Sequence, residues 1–246
     1  MPLREELEHQ GEWLFRWRSY LPLGFIALVV LGICHPDHLA RHQVMHPAWD
    51  WLCLAVSCSG LVVRALVIGH APRRTSCRST KHQVAWQLSS SGIYSVVRHP
   101  LYVGNFLIWL GVAMCTLLGW LVAIFVLAYW LYYERIMLAE EEYLRRQFGQ
   151  EFVDWTARTP AFMPGWRNWR NPALPFSVRN VLRREYSGWL AVVAGYAGLE
   201  FVRRLRVDGR MELDLAWLIA LFLAAAIYST LRFLKRHTRW LKVEGR

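Results

Sequence analysis

The sequence predicts an all-α fold, namely a polytopic helical membrane bundle with about six spans. The chain has 246 residues, of which 55% are hydrophobic, and 14 are Trp. Its long uncharged runs approach the roughly 20 apolar residues that a bilayer core requires, and they lack the polar face of a soluble helix. The Arg and Lys residues that give the chain its net charge of +11 cluster between these runs. The runs cover residues 21–34, 51–63, 101–133, 188–199 and 215–228.

The first two spans are expected over residues 19–33 and 48–69. Before the first span, residues 13–18 mix aromatic side chains with arginines, as interfacial segments do. The second span contains Arg64, which is costly in a bilayer unless it snorkels or faces a polar cavity. A basic, Ser-rich loop over residues 71–91 follows and is too polar to lie in lipid.

The uncharged run over residues 101–133 is too long for one span and short for two spans with a loop. Residues 115–119 offer a turn in its middle, which predicts a tight helical hairpin. Its first helix is expected at about 100–116, and the second begins near Trp120. Because the helical pattern continues beyond the apolar run, this second helix should leave the bilayer and carry the carboxylates at 140–142 into the interface.

Two more helices are expected at about 187–203 and 212–233, after a segment at 149–184 that is rich in Pro, Trp and Arg. The positive-inside rule places residues 71–98 and 134–186 in the cytoplasm. Four arginines conflict with this topology, since a six-span count puts them outside. Either the last helical pair does not fully span, or these arginines meet external phosphates. They are Arg203, Arg204, Arg206 and Arg210.

Several function classes receive no support from the sequence. A pI near 9.9 is compatible with nucleic-acid binding, but no helix-turn-helix or finger pattern is visible, so cytoplasmic loops and anionic headgroups explain the charge. The five cysteines show no C-x-x-C spacing and are interpreted as small hydrophobes. Histidines recur between residues 35 and 46, yet we predict a polar interfacial loop there and no metal site. No feature indicates an obligatory protein partner.

The stretch over residues 92–105, GIYSVVRHPLYVGN, sets polar residues at the mouth of the third span. Pro100 suits the first helical position, where no backbone donor is lost. Gly104 leaves one helix face bare, so that a ligand or another helix can approach. The stretch could equally be an interfacial anchor that binds headgroups. Its polar side chains are Arg98, His99, Tyr102 and Asn105.

Two later clusters add charge near the same interface. Three successive carboxylates at residues 140–142 repel one another, and they are either a solvated helix face or the holder of a cationic ligand. Arg158 precedes Pro160 and Pro164, which gives a rigid loop with one cationic point, or simply another cytoplasmic arginine.

The order of these clusters resembles the isoprenylcysteine carboxyl methyltransferase family and its phospholipid methyltransferase relatives. The shared pattern is G-x-Y-x-x-x-R-H-P-x-Y-x-G, a helical hairpin, E-E-x-x-L-x-x-x-F-G, and an aromatic residue followed by x-x-R-x-P-x-x-x-P, over residues 92–164. The resemblance implies a cofactor pocket for S-adenosylmethionine on the cytoplasmic side and a lipid acceptor from the bilayer. We therefore divide the chain into residues 1–91, a methyltransferase core at 92–165, and a connector with a helical pair at 166–246.

The resemblance also implies roles for single residues. Arg158 would orient the anionic group of the acceptor, and His99 is counted with it as catalytic. Glu140 and Glu141 would hold polar or cationic parts of the cofactor. The remaining residues of the expected cofactor site are Tyr94, Arg98, His99, Pro100, Tyr102 and Gly104.

The chemistry of methyl transfer fits such an interface. The sulfonium of the cofactor and an anionic oxygen lose their charges in the transition state, so a desolvated, well-aligned site favours the reaction. A carboxylate or phosphate needs no strong base, whereas an amine needs one, and His99 is the nearest candidate. We expect a methyltransferase acting on a membrane-embedded lipid headgroup, either phosphate or amine. A prenylcysteine carboxylate as acceptor, or a non-catalytic transport or binding protein, remains the alternative.

Overall fold

The structure, a computed structural model, describes residues 2–18, 20–37, 48–72, 87–207, 209 and 211–243. These residues form eight α-helices and two short 3₁₀ turns, at Ile93–Ser95 and Trp166–Asn168, with no strand among them. The predicted all-α membrane bundle is confirmed. The helices are α1 Leu3–Trp17, α2 Leu21–Ile33, α3 Ala48–His70, α4 Pro100–Met114, α5 Gly119–Phe148, α6 Gln150–Thr156, α7 Val178–Val207 and α8 Leu215–His237.

Each of the six expected spans corresponds to a helix. Among the described residues, three helices are long and apolar enough to cross a membrane, namely α3, α5 and α8, while Gly24–Ile33 and α4 are shorter apolar helices. Helix α7 is longer than predicted because its polar first turns continue the helix before the apolar part begins. Helix α7 differs from the more apolar helices because it carries charged residues near both of its ends.

The turn between α4 and α5 confirms the predicted tight hairpin. Helix α4 ends at Met114 and α5 begins at Gly119. The Thr116 hydroxyl donates to the Ala113 carbonyl at 2.7 Å, and Leu117 adopts a positive φ of 57° to reverse the chain. These local contacts close the hairpin within a few residues.

Helix α5 runs unbroken for 30 residues, which corresponds to about 45 Å. Its charged second half is covered by α1, the expected interfacial segment. Arg4 pairs with Glu142, and Arg146 pairs with Glu8 at 2.7 Å. Gly11 lets α1 approach the backbone carbonyl of Arg135. On α1, Trp13 and Trp17 remain about half exposed, at 55% and 50%.

Helices α3, α4 and α7 pack together at the centre of the bundle. The Ser57 hydroxyl of α3 donates to the Ile108 carbonyl of α4 at 2.7 Å. The buried Asn180 amide of α7 donates to the Ile68 carbonyl of α3 at 2.7 Å. The segments 1–91, 92–165 and 166–246 therefore interlock in one bundle, and the division into three parts stays a prediction.

The arginines at the end of α7 have carboxylate neighbours. Arg203 contacts Glu200 and lies 3.0 Å from Asp50, and Arg204 lies 2.7 Å from Glu200 and also contacts Asp214. These carboxylates pair with the two arginines, but the positive-inside rule counts Lys and Arg alone, so the conflict with the six-span topology stays. Arg210 lies outside the described residues.

The remaining sequence interpretations fall partly outside the described chain. Cys34, Cys53, Cys58 and Cys115 are free thiols, while Cys77 lies outside. Most of the histidine cluster, His38, His42 and His46, also lies outside the described residues. Within those residues, no group of three or more His, Cys, Asp or Glu side chains could hold a metal ion.

Candidate functional site

The start of α4 is held by the loop that follows α6. His99 takes a non-helical conformation, with φ −118° and ψ 58°, and Pro100 begins the helix. The Arg98 amide donates to the Pro160 carbonyl at 2.9 Å, and the His99 amide donates to the Ala161 carbonyl at 3.2 Å. The backbone before α4 therefore cannot shift without moving the loop at 158–165.

One compact polar cluster joins the start of α4 to α5. Arg98 Nη1 donates to Glu141 Oε2 at 2.7 Å, and His99 Nε2 lies 2.9 Å from Glu141 Oε1. His99 Nδ1 lies 3.6 Å from Glu140 Oε2. The Tyr102 hydroxyl donates to Glu140 Oε1 at 2.7 Å. Five residues that the sequence singled out separately are thus brought together.

This cluster resolves the repulsion expected within the triple-acid run. Each carboxylate has its own partners, since Glu142 pairs with Arg4 on the opposite side. His99 is almost buried, with 7% of its side chain exposed, whereas Glu140 and Glu141 are 25% and 23% exposed. Charge-assisted hydrogen bonds are stronger in such a partly desolvated setting. The two carboxylates are therefore fixed in position yet accessible to a ligand.

Aromatic rings support the cluster from the α4–α5 side. The rings of His99 and Tyr102 stack with centroids 5.7 Å apart, and Tyr133 packs against Tyr102 at 4.7 Å. The Tyr129 hydroxyl donates to the Tyr102 backbone carbonyl at 2.7 Å. These contacts hold the Tyr102 ring in the direction of Glu140.

Tyr94 lies at the edge of the cluster, in the turn before α4. Its backbone carbonyl accepts the indole N–H of Trp155 at 3.0 Å. Burial, and secondarily the charge of Glu140, raises the pKa of Tyr94 to about 12. Its hydroxyl is therefore neutral at physiological pH and can donate a hydrogen bond, but it cannot serve as a base.

Gly104 does not face this cluster. A Cβ at this position would lie 2.6 Å from Arg64 Cγ and 2.9 Å from the Gly60 carbonyl of α3. The bare face of α4 is thus filled by another helix, which was one of the two expectations. This contact gives no support to the other expectation, that Gly104 shapes the cofactor pocket.

Arg158 lies in a separate polar cavity of about 150 Å³ beside the cluster's supporting loop. Its Nε donates to the Asp154 carbonyl at 3.0 Å, which leaves the outer nitrogens facing solvent. The cavity also contains a second arginine, Arg170, and one carboxylate, Glu151. Its other lining residues are Leu88, Ser90, Ser95, Trp155, Thr159 and Asn168.

The sequence did not single out Arg170. A backbone bridge to Gly92 places it, because the Gly92 amide donates to its carbonyl at 2.9 Å and its own amide donates to Ser95 Oγ at 2.9 Å. Gly92 has a positive φ of 60°, which suits glycine at this bend. The local sequence around Arg170 does not indicate that it pairs with Gly92, 78 residues earlier in the chain.

A second missed feature is the buried pair of Arg64 and Glu185. Arg64 Nε and Nη2 each donate to one oxygen of Glu185 at 2.8 Å, and Arg64 Nη1 donates to Asn105 Oδ1 at 2.6 Å. The cost of Arg64 within a span was recognised, but its partner was not. The only available signal was the acidic Glu185 at the edge of an apolar run.

Comparison with known proteins bears on the segment that carries the cluster. Residues 74–151 match the phospholipid methyltransferase family. This segment includes the start of α4, the hairpin, and both Glu140 and Glu141. The predicted family resemblance is confirmed.

Individual proteins are similar to this chain over part of their length. The chain is 34% identical over 121 residues to the nickel-cobalt-cadmium resistance protein NccN of Alcaligenes xylosoxydans xylosoxydans, over 48% of this chain and 55% of the relative. It is 42% identical over 77 residues to the cobalt-zinc-cadmium resistance protein CzcN of Cupriavidus metallidurans, over 31% and 35%. It is 30% identical over 110 residues to the protein-S-isoprenylcysteine O-methyltransferase B of Arabidopsis thaliana, over 40% and 55%.

The chain thus spans between about a third and about half of the length of these relatives. No solved structure matches it significantly. Arg158 and Arg170, together with the whole of α7 and α8, lie outside the matched segment, whereas Leu88, Ser90, Ser95 and Glu151 of the same cavity lie within it. The match of this segment to the family supports methyltransferase chemistry, and the rest of the chain must be interpreted from its own contacts.

Proposed function

We propose that this protein is an S-adenosylmethionine-dependent methyltransferase that acts on a membrane-embedded amphiphile, with its active site toward the cytoplasm. The observation that carries the proposal is the convergence of Arg98, His99 and Tyr102 on Glu140 and Glu141 within the segment that matches the methyltransferase family. This polar cluster lies where an apolar helix begins, so a soluble cofactor and a lipid-borne acceptor can meet there.

The residues of the cluster fit the expected cofactor. Glu140 and Glu141 offer partly exposed carboxylate oxygens, which accept hydrogen bonds from hydroxyl or ammonium groups. Arg98 adds a guanidinium group, 18% exposed, whose charge suits a carboxylate. These donors and acceptors match the ribose, amino and carboxyl groups of S-adenosylmethionine.

When bound, the cofactor supplies a methyl group on a sulfonium cation. The protein's part is to hold the reactants in line and to keep water away, for which the aromatic rings of Tyr102 and Tyr133 are suited. His99 is almost buried and both of its ring nitrogens face carboxylate oxygens, which suits it to orient Glu140 and Glu141 more than to act as a base toward an amine acceptor. An anionic acceptor needs no such base.

The cavity with Arg158 and Arg170 is suited to an anionic headgroup. Guanidinium groups bind phosphate and carboxylate oxygens in bidentate fashion, and two of them line this cavity. Trp166 and Trp169, which come shortly before Arg170 in the chain, are exposed, as expected of residues at the level of lipid headgroups. We therefore favour a lipid headgroup as acceptor, with a prenylcysteine carboxylate as the alternative.

Two measurements test this proposal. The first is calorimetry of the detergent-purified protein with S-adenosylhomocysteine, for which we expect saturable binding. The absence of binding in a folded sample would favour a non-catalytic transport or binding protein. The second is incubation with a total lipid extract, a prenylcysteine peptide analogue and a methyl-labelled donor, followed by mass spectrometry. Label in a phospholipid supports the favoured acceptor, and label only in the prenylcysteine analogue would replace it.

A further inference from the structure

A largely buried ion pair connects α7 to α3, the helix that packs beside α4 and its candidate site. Glu185 of α7 is 1% exposed, and Arg64 of α3 is 21% exposed. Both guanidinium-to-carboxylate hydrogen bonds measure 2.8 Å, which is bidentate geometry. The third nitrogen of the Arg64 guanidinium, Nη1, donates a hydrogen bond to Asn105 Oδ1 of α4 at 2.6 Å. One arginine therefore ties three helices together.

Stability alone is a weak reason to bury such a pair. Desolvation of two charges offsets most of their attraction, and apolar side chains of similar volume often stabilise a protein equally well. Ionisable groups within membrane helices are correspondingly rare, and they usually mark functional positions. We therefore expect the pair between Arg64 and Glu185 to have a role besides packing α3 against α7.

The third donor of Arg64 indicates that role. Asn105 lies one turn after Tyr102, whose hydroxyl binds Glu140. The aliphatic part of Arg64 also packs against the bare face of Gly104. Arg64 thus contacts both residues of α4 that follow the cluster, and it fixes the rotation of the first turns of this helix about its axis.

Helix α7 is itself anchored at this end. The Ser177 amide donates to the Gly69 carbonyl at 2.9 Å, and the Asn180 side chain donates to the Ile68 carbonyl at 2.7 Å. The positive charge of Arg184, the residue before Glu185, partly offsets the raised pKa of the Tyr94 hydroxyl. Although α7 lies outside the segment that matches the family, its first turns are firmly fixed beside the candidate site.

We propose that Glu185 is a positioning residue of the methyltransferase site, acting through Arg64 and Asn105 to set the direction of Tyr102 and His99 toward Glu140 and Glu141. The part that concerns the cofactor rests on the proposed function. The part that concerns the order of α4 does not, because it follows from the hydrogen bonds alone.

The decisive variant replaces the ion pair by apolar side chains of similar size, Arg64→Met with Glu185→Leu. A purely structural pair tolerates this exchange, so thermal unfolding in detergent should stay close to that of the unchanged protein. A positioning pair does not, because Asn105 Oδ1 loses the Arg64 donor. We expect the affinity for S-adenosylhomocysteine, measured by calorimetry, to fall by about tenfold or more, since small misplacements of site groups are costly.

A second variant covers the case in which the double variant does not fold. Asn105→Ala leaves both charges paired and should weaken the affinity to a similar extent. The matched control is Glu200→Gln on the same helix. Glu200 is 9% exposed and bonds to arginines three and four residues later, but it lies far along α7 from this end. The control should bind S-adenosylhomocysteine as the unchanged protein does.

Hydrogen exchange of the amides at 102–106 gives a readout that needs no cofactor. We expect faster exchange there in the double variant and in Asn105→Ala, but not in the Glu200→Gln control. Normal affinity and normal exchange in Asn105→Ala would overturn the proposal, as would an equal loss in the control. If the unchanged protein binds no S-adenosylhomocysteine, the proposed function fails, and the exchange comparison still decides the positioning role.

Discussion

Glu141 and Glu142 are neighbours in sequence, yet they contact different parts of the protein. Glu141 accepts hydrogen bonds from Arg98 and His99 at the start of α4, whereas Glu142 pairs with Arg4 of α1. Successive helical residues point about 100° apart, so between Glu140 and Glu142 the side chains turn from the site toward α1. Substitutions at Glu141 and Glu142 can therefore be compared directly, because the two residues carry the same charge at adjacent positions and differ in the partners that they contact.

We predict that Glu141→Gln weakens the affinity for S-adenosylhomocysteine by about tenfold, because charge-assisted hydrogen bonds contribute roughly twice as much as neutral ones. Calorimetry on the detergent-purified protein measures this. Glu142→Gln is the control and should retain the affinity. Equal losses in the two variants would place the cofactor elsewhere.

Arg158 and Arg170 share one cavity, and both are expected to meet the acceptor and not the cofactor. Arg158→Ala should lower kcat/KM for the lipid acceptor by about tenfold to a hundredfold, as expected when a charged contact to an anion is lost. Its affinity for S-adenosylhomocysteine should change little. Steady-state kinetics with the acceptor that the lipid-extract experiment identifies, together with calorimetry, separates the two effects.

Arg170→Ala should behave like Arg158→Ala, and Arg158→Lys should recover part of the activity because it keeps the charge. Arg167→Ala is the matched control, since Arg167 is exposed on the same segment but does not line the cavity. A loss in this control as large as that in Arg170→Ala would mean that the whole basic surface, and not the cavity, attracts the acceptor.

At the scale of elements, α3 and α4 approach each other through small residues. Gly60 and Gly104 face each other across the contact, and Ser57 bonds to the Ile108 carbonyl. Close approach of this kind is common between membrane helices, where small side chains permit tight packing. The direction of α4, and with it the location of His99, depends on this contact.

We predict that Gly104→Ala destabilises the fold by about 1–3 kcal/mol, because the added methyl group would overlap Arg64 Cγ and the Gly60 carbonyl. Thermal unfolding in detergent measures the loss. Gly195→Ala in α7 is the control, since no atom lies within 4 Å of a Cβ built there. It should be neutral or stabilising, and a similar loss in both variants would exclude the overlap as the cause.

The sequence predicted elements that depend on neighbouring residues and missed contacts that depend on distant ones. Pro100 marks the start of α4, and the turn near Leu117 divides the apolar run, because both signals are local. The pairing of Arg64 with Glu185 joins residues 121 positions apart, and no periodicity encodes it. Arg170 reaches the cavity through the bridge to Gly92, which is likewise invisible in the local pattern.

For the whole molecule, the orientation in the membrane is the outstanding expectation. Met163 and Met211 are both highly exposed, at 77% and 75%, and they lie before and after α7. Helix α7 is not among the described helices that are apolar enough to cross a membrane, so its crossing is a prediction; a crossing α7, with 30 residues and a length of about 45 Å, would place the two positions on opposite faces. They make a matched pair of reporters for the cytoplasmic orientation of the site.

We predict that, in a background without the native cysteines, a membrane-impermeant maleimide labels Met211→Cys in intact cells. Met163→Cys should be labelled only after the cells are made permeable, because the positive-inside rule retains its arginine-rich surroundings in the cytoplasm. Gel shift of the labelled protein measures both. Labelling of Met163→Cys in intact cells would reverse the orientation.

Helix α8 is apolar enough to span the membrane, yet only 6% of its apolar window is buried within the protein. Its outward side chains, such as Phe222 at 72% exposure, face the surroundings and not a protein neighbour of fixed shape. Lipid tails accept many apolar shapes, so selection has little reason to preserve any one of them. Over evolutionary time this face should drift freely among Leu, Ile, Val and Phe, while the width of the host bilayer constrains only its extent.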